Sequence, residues 1–535
     1  MASTVTNAEV SSALAEYSAL LELGRADRYA ARAFRRASAI VAALDVSVVD
    51  LVRAGKARDL RGIGPGIEAR LRELVETGRI AELEELKRSV SLELAAFGRM
   101  HGFSAERFVE IGARLRIHTI DELRRAAAEG RLREVPGIGP KREAAIVAAL
   151  AREPRFRPRA LALNRALAVS ERIAAGIGGV VAGDPRRWRD VNERLAIVVA
   201  STEPDAVRSR FRAQPEIVAM IDETSGLTVD GTPIDLVVTP PAAFGTALVR
   251  ATGSAAYVAA LEPLPEAPDE HALYAALGLP YLPPELRESP GRSSTGELVD
   301  EALIRGDLHC HSTWSDGRAS VLEMGSAARD LGYDYLAICD HTTNVRVVPG
   351  VDARALERQA IEIEEANARL APFRVLRGVE CDILPDGSLD LPDDALAGLE
   401  WVQISLHAGQ RAPRRELTAR VTEAMRHPAA RCLSHPTGRI IGHRPENALD
   451  LERTIETALA TGVSLEVNGL PDRLDLRGEH VRVAIEAGVR IVCSSDAHSP
   501  AGLRNITYAV HTARRGGASA ESVVNTRPLR SVAQK

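Results

Sequence analysis

From about Arg305 to the C-terminus, short apolar runs alternate with longer stretches of helical period. The runs DLHC, YLAIC, VLRGVE, WVQIS, RCLS, SLEVN and IVCSS are separated by patterns such as VLEMGSAARDLG, ALERQAIEIEEANARL, ELTARVTEAMR and ERTIETALATG. This alternation predicts parallel strands wrapped by helices. With SLEVNG at 464–469 included, the runs number seven, which predicts a barrel of (β/α) type one unit short of eight. The N-terminal part reads as helix instead. LRGIGPGIEARLREL from Leu60 and LREVPGIGPKREAAI from Leu132 each set Gly-Ile-Gly between two amphipathic helical patterns, and a worn third copy stands at Gly102-Phe103-Ser104. These are helix-hairpin-helix patterns.

Composition narrows the class. At 535 residues, 45% hydrophobic and 26% charged, the chain predicts a globular protein of three or four domains. It shows no signal peptide and no apolar run of spanning length, so no membrane association and a cytoplasmic location are expected. Cys310, Cys339, Cys381, Cys432 and Cys493 form no Cys-x-x-Cys pair and read as small buried strand residues. Residues 1–160 hold 28 Lys and Arg against 22 Asp and Glu, whereas the whole chain carries −5, so the basic half is the one with the hairpins. The scarcity of aromatics, 4%, argues against broad base-stacking platforms.

The chemistry concentrates in the strand-rich part. His309, His311, Asp316, His341, Glu380, His407, His435, Asp496 and His498 are nine potential metal ligands; the first three lie in GDLHCHSTWSDG, and in YLAICDH, VLRGVECD, WVQISLH, RCLSHP and IVCSSDAH an apolar run ends on the His, Asp or Glu. His309 and His311 alternate out of one strand, so both imidazoles leave on the same side. Repetition of this polarity at strand after strand predicts a metal site at the C-terminal rim of the barrel. Mixed imidazole and carboxylate ligation permits Zn, Mn or Fe. Trp314, beside the first motif, reads as a pocket wall.

These motifs, GDLHCHSTWSDG, DH, GVE, SLH, SHPTGR and SDAH, resemble the PHP (polymerase and histidinol phosphatase) phosphoesterase domain over about residues 305–515. The resemblance implies three divalent ions, Mn or Zn. It puts His309, His311, Glu380 and Asp496 on one, Glu380, His407 and His435 on a second, and Asp316, His341 and His498 on the third. Closely spaced divalent ions lower the pKa of a shared water and offset charge on a phosphoryl group. Arg439 and His443, in HPTGRIIGHRP, are candidates to grip a substrate phosphate.

For the hairpins, the residues singled out are Gly62, Ile63, Gly64, Gly66, Gly137, Ile138, Gly139 and Lys141. The two glycines of each turn are expected to take positive φ and expose backbone N–H groups to a phosphate oxygen. Such contacts read the DNA backbone without sequence specificity.

Together the hairpins, the opening ALLELGRADRYAARAFRRASAIVAAL, PIDLVVTPPAAFGTALVRATGS and YAALGLPYLPPELRE resemble bacterial family X DNA polymerases that carry a PHP domain. The resemblance implies 3′-to-5′ exonuclease or 3′-end cleaning activity in DNA repair. It also exposes departures. Gly183, Arg186 and Arg187 keep the register of the family's phosphate turn, but Asp184 replaces its Ser, and its two metal-binding Asp fall on Arg194 and Ala196. Asp235 alone survives, and one carboxylate is a poor Mg²⁺ site. The family's lyase Lys falls on Arg70, which stays protonated and forms no Schiff base. Polymerase and lyase activities are therefore expected to be absent.

The expected architecture is multidomain. It comprises an all-α region with the first hairpin at 1–90, a fingers-like hairpin domain at 91–155, an α+β nucleotidyltransferase-like palm and thumb remnant at 156–285, and an α/β distorted (β/α)7 barrel at 300–520. A Pro and Arg run at 151–160 and a Pro-rich stretch at 283–297 read as linkers, and the last residues as a frayed tail. Two further function classes stand beside the DNA-directed phosphoesterase: a small-molecule phosphomonoesterase of histidinol phosphatase type, and a non-catalytic DNA-binding scaffold.

Overall fold

A computed structural model describes residues 7–23, 28–42, 47–60, 62–151, 160–228, 230–291, 296–345 and 348–532. Most of the 151–160 run, part of the 283–297 stretch and the last three residues lie outside these. By compactness the chain divides into two units, 1–161 with 168–181 and 193–247, and 162–167 with 182–192 and 248–535.

The first unit begins with packed helices. Leu14, Tyr17, Leu71 and Ile80 are buried in one core, which Val218 and Leu227 of the following sheet also join. That sheet runs in the order 180–182, 195–200, 233–239, 225–228, 217–220. Leu195–Ala200 and Pro233–Thr239 pair in parallel with Ala196 opposite Asp235.

Both hairpins share one local design. Pro65 and Pro140 occupy the first turns of helices Pro65–Thr77 and Pro140–Leu150, where a missing N–H costs nothing. Gly62 has φ +102° and Gly137 +77°, as expected. Gly64 and Gly139 do not: they are extended N-caps, with φ −84° and −90°. Only the first glycine of each turn reverses the chain, because the second already has to enter the helix. Ile63 and Ile138, both 5% exposed, pin the turns from beneath. The third copy has its glycine at φ +79°, but its helix is capped by the Ser104 hydroxyl, which accepts from Arg107 N–H.

The second unit holds the barrel. Its strands are β1 Gly306–Cys310, β2 Tyr335–Ile338, β3 Arg374–Asp382, β4 Trp401–Ser405, β5 Cys432–Leu433, β6 Ser464–Asn468 and β7 Ile491–Ser494. All pair in parallel and in chain order. The seventh returns to the first through a parallel bridge between Cys310 and Ala497, with His311 N–H donating to Ala497 O at 2.8 Å. Every residue of β1, β2, β4, β5, β6 and β7 is buried, the expected signature of strands covered on both faces. Helix Val321–Asp330 starts from a capping box between Ser320 and Glu323, and Ala353–Leu370 from an Asp352 cap.

Two expectations fail at the edges of this unit. The described part of the 283–297 stretch, 283–291, is not a free linker: Glu285 and Arg287 are buried, and Glu285 accepts from Arg514 Nε at 2.6 Å. The tail is docked as far as Val532, because the buried Asn525 amide donates to Gly306 O at 2.8 Å and Cys493 O at 2.7 Å. Among the described residues no helix is long and apolar enough to cross a membrane.

Candidate metal centre

The nine candidate ligands converge at the C-terminal ends of the barrel strands. His309 lies in β1 and His311 directly after it, His341, His407, His435, Asp496 and His498 follow their strands, and Glu380 lies within β3. Three groups bring donor atoms close enough to hold an ion: His311, Asp316, His341 and His498; His309, His311 and Asp496; and His341, Glu380 and His407. His435 joins through Glu380, its Nε2 2.9 Å from Oε1.

Glu380 is the hub. Its Oε1 also faces His407 Nε2 at 3.6 Å, and its Oε2 faces His341 Nδ1 at 2.8 Å and His309 Nε2 at 3.5 Å. Around the rim His311 Nε2 is 3.0 Å from Asp496 Oδ1 and 3.2 Å from His309 Nε2, and His498 Nε2 is 3.2 Å from Asp316 Oδ2. A metal fits this arrangement for a specific reason. His341 Nδ1 and Glu380 Oε2 approach closely without hydrogen-bond geometry, and both are buried without a hydrogen-bond partner, as is His435 Nδ1. Buried polar atoms left this way carry a desolvation cost that a cation would remove. Donor spacings near 3–4 Å suit atoms that each stand about 2 Å from a shared ion.

Charges in the cluster are strongly coupled. Burial alone would raise the Glu380 carboxyl, but His407, His341 and His309 hold it well below its ordinary range. Asp496 is likewise held far down, against its burial, by His309 and His311. Burial and the neighbouring His341 push His311 down to about 4. His498 goes the other way, to about 9, because Asp316 and Asp496 outweigh its burial. The carboxylates are thus ionised and ready to ligate.

A second layer, absent from the sequence reading, aims these ligands. Glu466, in the middle of β6, accepts from His309 Nδ1 at 2.6 Å, Ser494 Oγ at 2.5 Å and His435 N–H at 2.7 Å. Asp382 takes His407 N–H at 3.1 Å and faces its Nδ1 at 3.3 Å. Asp340 accepts from Ser312 N–H at 2.8 Å and from Ser312 Oγ, Ser315 Oγ and Gln359 Nε2, fixing the loop that carries Asp316. Carboxylates behind ligating imidazoles set the tautomer and ring angle. The available signal was an acid inside an apolar strand, SLEVN, and one two residues from Glu380 on the same strand face, VECD. His435 and Asp496 have φ +26° and +51°, left-handed values that L residues adopt rarely.

The two proposed phosphate contacts fare differently. Arg439 is 8% exposed and each of its three nitrogens already has a partner: Nη1 on Asp190 at 2.7 Å, Nε on Arg473 O at 2.8 Å, and Nη2 on Leu474 O. It is a structural clamp, so its assignment as a phosphate contact is corrected. His443 is exposed on the following turn. Trp314 is partly buried, with its indole N–H donating to Glu362 at 2.7 Å, as a wall residue would be. The five cysteines are buried and free, and none belongs to a ligand group.

At the palm positions, Arg194 Nε lies 3.1 Å from Asp235 Oδ2, and Ser225 Oγ donates to Asp235 Oδ1 at 2.8 Å. Arg186 pairs bidentately with Glu270 at 2.6 and 2.8 Å. Arg187 binds Asp184 and, at 3.1 Å, Glu288. Arg70 is bonded to Glu82, with Nε at 3.1 Å. At the hairpins Lys141 is exposed. Among the described residues the amides of Gly64, Gly66, Gly139 and Lys141 have no partner in the fold. Ile63 and Ile138, singled out with them, serve the core instead, because their side chains point inward.

Fold and site together define a chain that joins helix-hairpin-helix elements to a seven-stranded barrel of PHP type whose rim carries His, Asp and Glu clusters able to hold metal ions. A helix-hairpin-helix domain model matches residues 5–80, and a SAM-like helix-hairpin-helix tandem model matches 111–152. The whole chain is 32% identical over 551 residues to the DNA polymerase/3′-5′ exonuclease PolX of Bacillus subtilis (strain 168), with 96% of each chain covered. This protein belongs to the bacterial PolX family. Its C-terminal region is also similar to proteins named as probable phosphatases. One, from Acetivibrio thermocellus, is 30% identical over 208 residues, covering 36% of this chain and 78% of that protein. Another, from Caldicellulosiruptor saccharolyticus, is 27% identical over 205 residues, covering 37% and 81%.

Proposed function

We propose that this protein is a DNA-binding, metal-dependent phosphoesterase of the cytoplasm that trims DNA, as a 3′-to-5′ exonuclease or 3′-end processing enzyme in repair. The observation that carries this reading is the convergence of nine imidazoles and carboxylates on Glu380 and its neighbours at one barrel rim. His309, His311, Glu380 and Asp496 would hold one ion, Glu380, His407 and His435 a second, and Asp316, His341 and His498 a third. The ions are Mn or Zn, with Fe as a further candidate. When bound, such ions lower the pKa of a shared water and offset the charge that develops on a phosphoryl group.

The chain's own contribution is orientation. Glu466 and Asp382 hold the His309 and His407 rings so that Nε2 faces the pocket. Asp316 and His498, with side chains 25% and 32% exposed, form the edge that substrate meets first. The free hairpin amides beside Pro65 and Pro140 support sequence-independent contact with the DNA backbone. The palm acts as scaffold in this reading: a guanidinium neutralises Asp235 where Mg²⁺ would need oxygen ligands. No lyase step is assigned to Arg70, which is bonded to Glu82.

The test uses 3′-labelled DNA and, separately, histidinol phosphate, with Mn²⁺ or chelator, on wild type and His407→Ala. The expected result is shortening of DNA by metal-loaded wild type alone. Phosphate release from histidinol phosphate without DNA shortening would make the protein a small-molecule phosphatase. Silence on both substrates would make it a binding scaffold.

A further inference from the structure

One guanidinium reaches the metal ligands without being a structural clamp. Arg473 Nε lies 3.9 Å from Asp496 Oδ2, too far for a hydrogen bond, and its side chain is 20% exposed. Among the described residues Arg473 has no other acidic partner within ion-pair distance. A guanidinium with no hydrogen-bonded acid at the edge of a cluster of metal-ligand type offers its charge and its flat fork to an anion.

The backbone presenting Arg473 is held under tension. Leu474, buried and next in sequence, has φ +46°, which an L side chain disfavours. Arg439 grips the carbonyls on both sides of that bend, donating to Arg473 O and Leu474 O. Its remaining nitrogen is anchored by Asp190, which also accepts from Arg515 at 3.0 Å. Burial alone would raise the Asp190 carboxyl, but Arg439 and Arg515 hold it at about 2. Nearby, Trp188 stacks on His511 at 3.6 Å with the rings 1° from parallel. The segment that resembles a polymerase phosphate turn thus braces the loop beside the metal ligands.

We propose that Arg473 forms a subsite for an anionic oxygen of a substrate phosphate, presented to the metal pocket by a brace that runs from Asp190 through Arg439. The ligand class is a phosphate monoester or diester, recognised by charge and by the flat guanidinium fork and not by any base. The idea rests on the phosphoesterase reading, since it needs a phosphate at the metal ligands. It assigns to Arg473 the role that Arg439, spent on Asp190, does not fill.

The experiment titrates inorganic phosphate into full-length, Mn²⁺-loaded protein by calorimetry, for wild type, Arg473→Ala, Arg473→Lys and the exposed control Arg415→Ala. The Mn content of each is measured alongside. The expected result is phosphate affinity weakened about tenfold or more in Arg473→Ala, with Mn content and the control unchanged. Arg473→Lys should fall between, because a point charge lacks the fork; it also serves if the alanine variant does not fold. Wild-type affinity in both Arg473 variants, loss of Mn from them, or no phosphate binding by wild type would overturn the subsite. Failure of the nuclease reading looks different: Arg473-dependent phosphate binding together with intact DNA.

Discussion

Glu380 gives both oxygens to a ring of imidazoles, and Glu466 holds two of those imidazole-bearing segments from behind. Removing Glu466 should therefore free the His309 ring to rotate and tautomerise. Glu466→Ala is expected to weaken metal binding about 10- to 100-fold, and Glu466→Gln less, measured by competition with a chromogenic chelator. Wild-type affinity in Glu466→Ala would remove the orienting role. Asp235 makes the opposite case. Its partner Arg194 is 52% exposed and its own side chain 31%, so the pair contributes at most about 1 kcal/mol. Asp235→Asn should leave DNA trimming untouched and shift the melting temperature little; loss of trimming would return a catalytic part to the palm. The sequence exposed the ligands because all but Asp316 stand where an apolar run ends at a strand, and Asp316 follows two of them in one motif. It hid Glu466 because an acid mid-strand has no spacing to mark it, and it misread Arg439 because only the fold brings Asp190 to that guanidinium.

Elements carry two kinds of constraint. The first hairpin turns on Gly62, where φ is +102° and an added Cβ would stand 2.8 Å from Ile40 Cδ1. Gly62→Ala should cost about 1–2 kcal/mol and weaken DNA binding, whereas Gly64→Ala, which meets open space at an ordinary φ, should cost far less. Thermal melts with DNA-binding isotherms check this, and equal effects from the two would contradict the turn geometry. The second constraint is electrostatic. Burial alone would raise the Glu270 carboxyl, but Arg186 and Arg287 hold it at about 2 against an ordinary 4.5. A depressed carboxyl stabilises the fold above its unfolded pKa and loses that contribution as pH falls through the folded one, here from about 4.5 to about 2. The loss is on the order of 3 kcal/mol. Glu270→Gln should be less stable at neutral pH and show a flatter decline over that window; an unchanged acid limb would contradict the pairing.

Over the whole molecule, helical and strand periodicity marked the hairpins and the seven barrel strands, because each element buries one continuous apolar pattern. What periodicity could not carry was tertiary traffic: the docking of 283–291 by Glu285 and Arg287, and the anchoring of the tail by Asn525. Both depend on residues far apart in sequence. The same holds for segment 183–192, whose Arg186 and Arg187 keep the register of a phosphate turn but are bonded to Glu270 and Glu288. The proposed activity requires the barrel rim to be a multinuclear metal site hinged on Glu380. Elemental analysis of gently purified protein tests this most directly, comparing wild type with Glu380→Gln. The expected result is transition ions bound to the wild type, and loss from the variant of the ions assigned above to Glu380. Wild type without bound transition metal, or a variant that keeps the full complement, would contradict it.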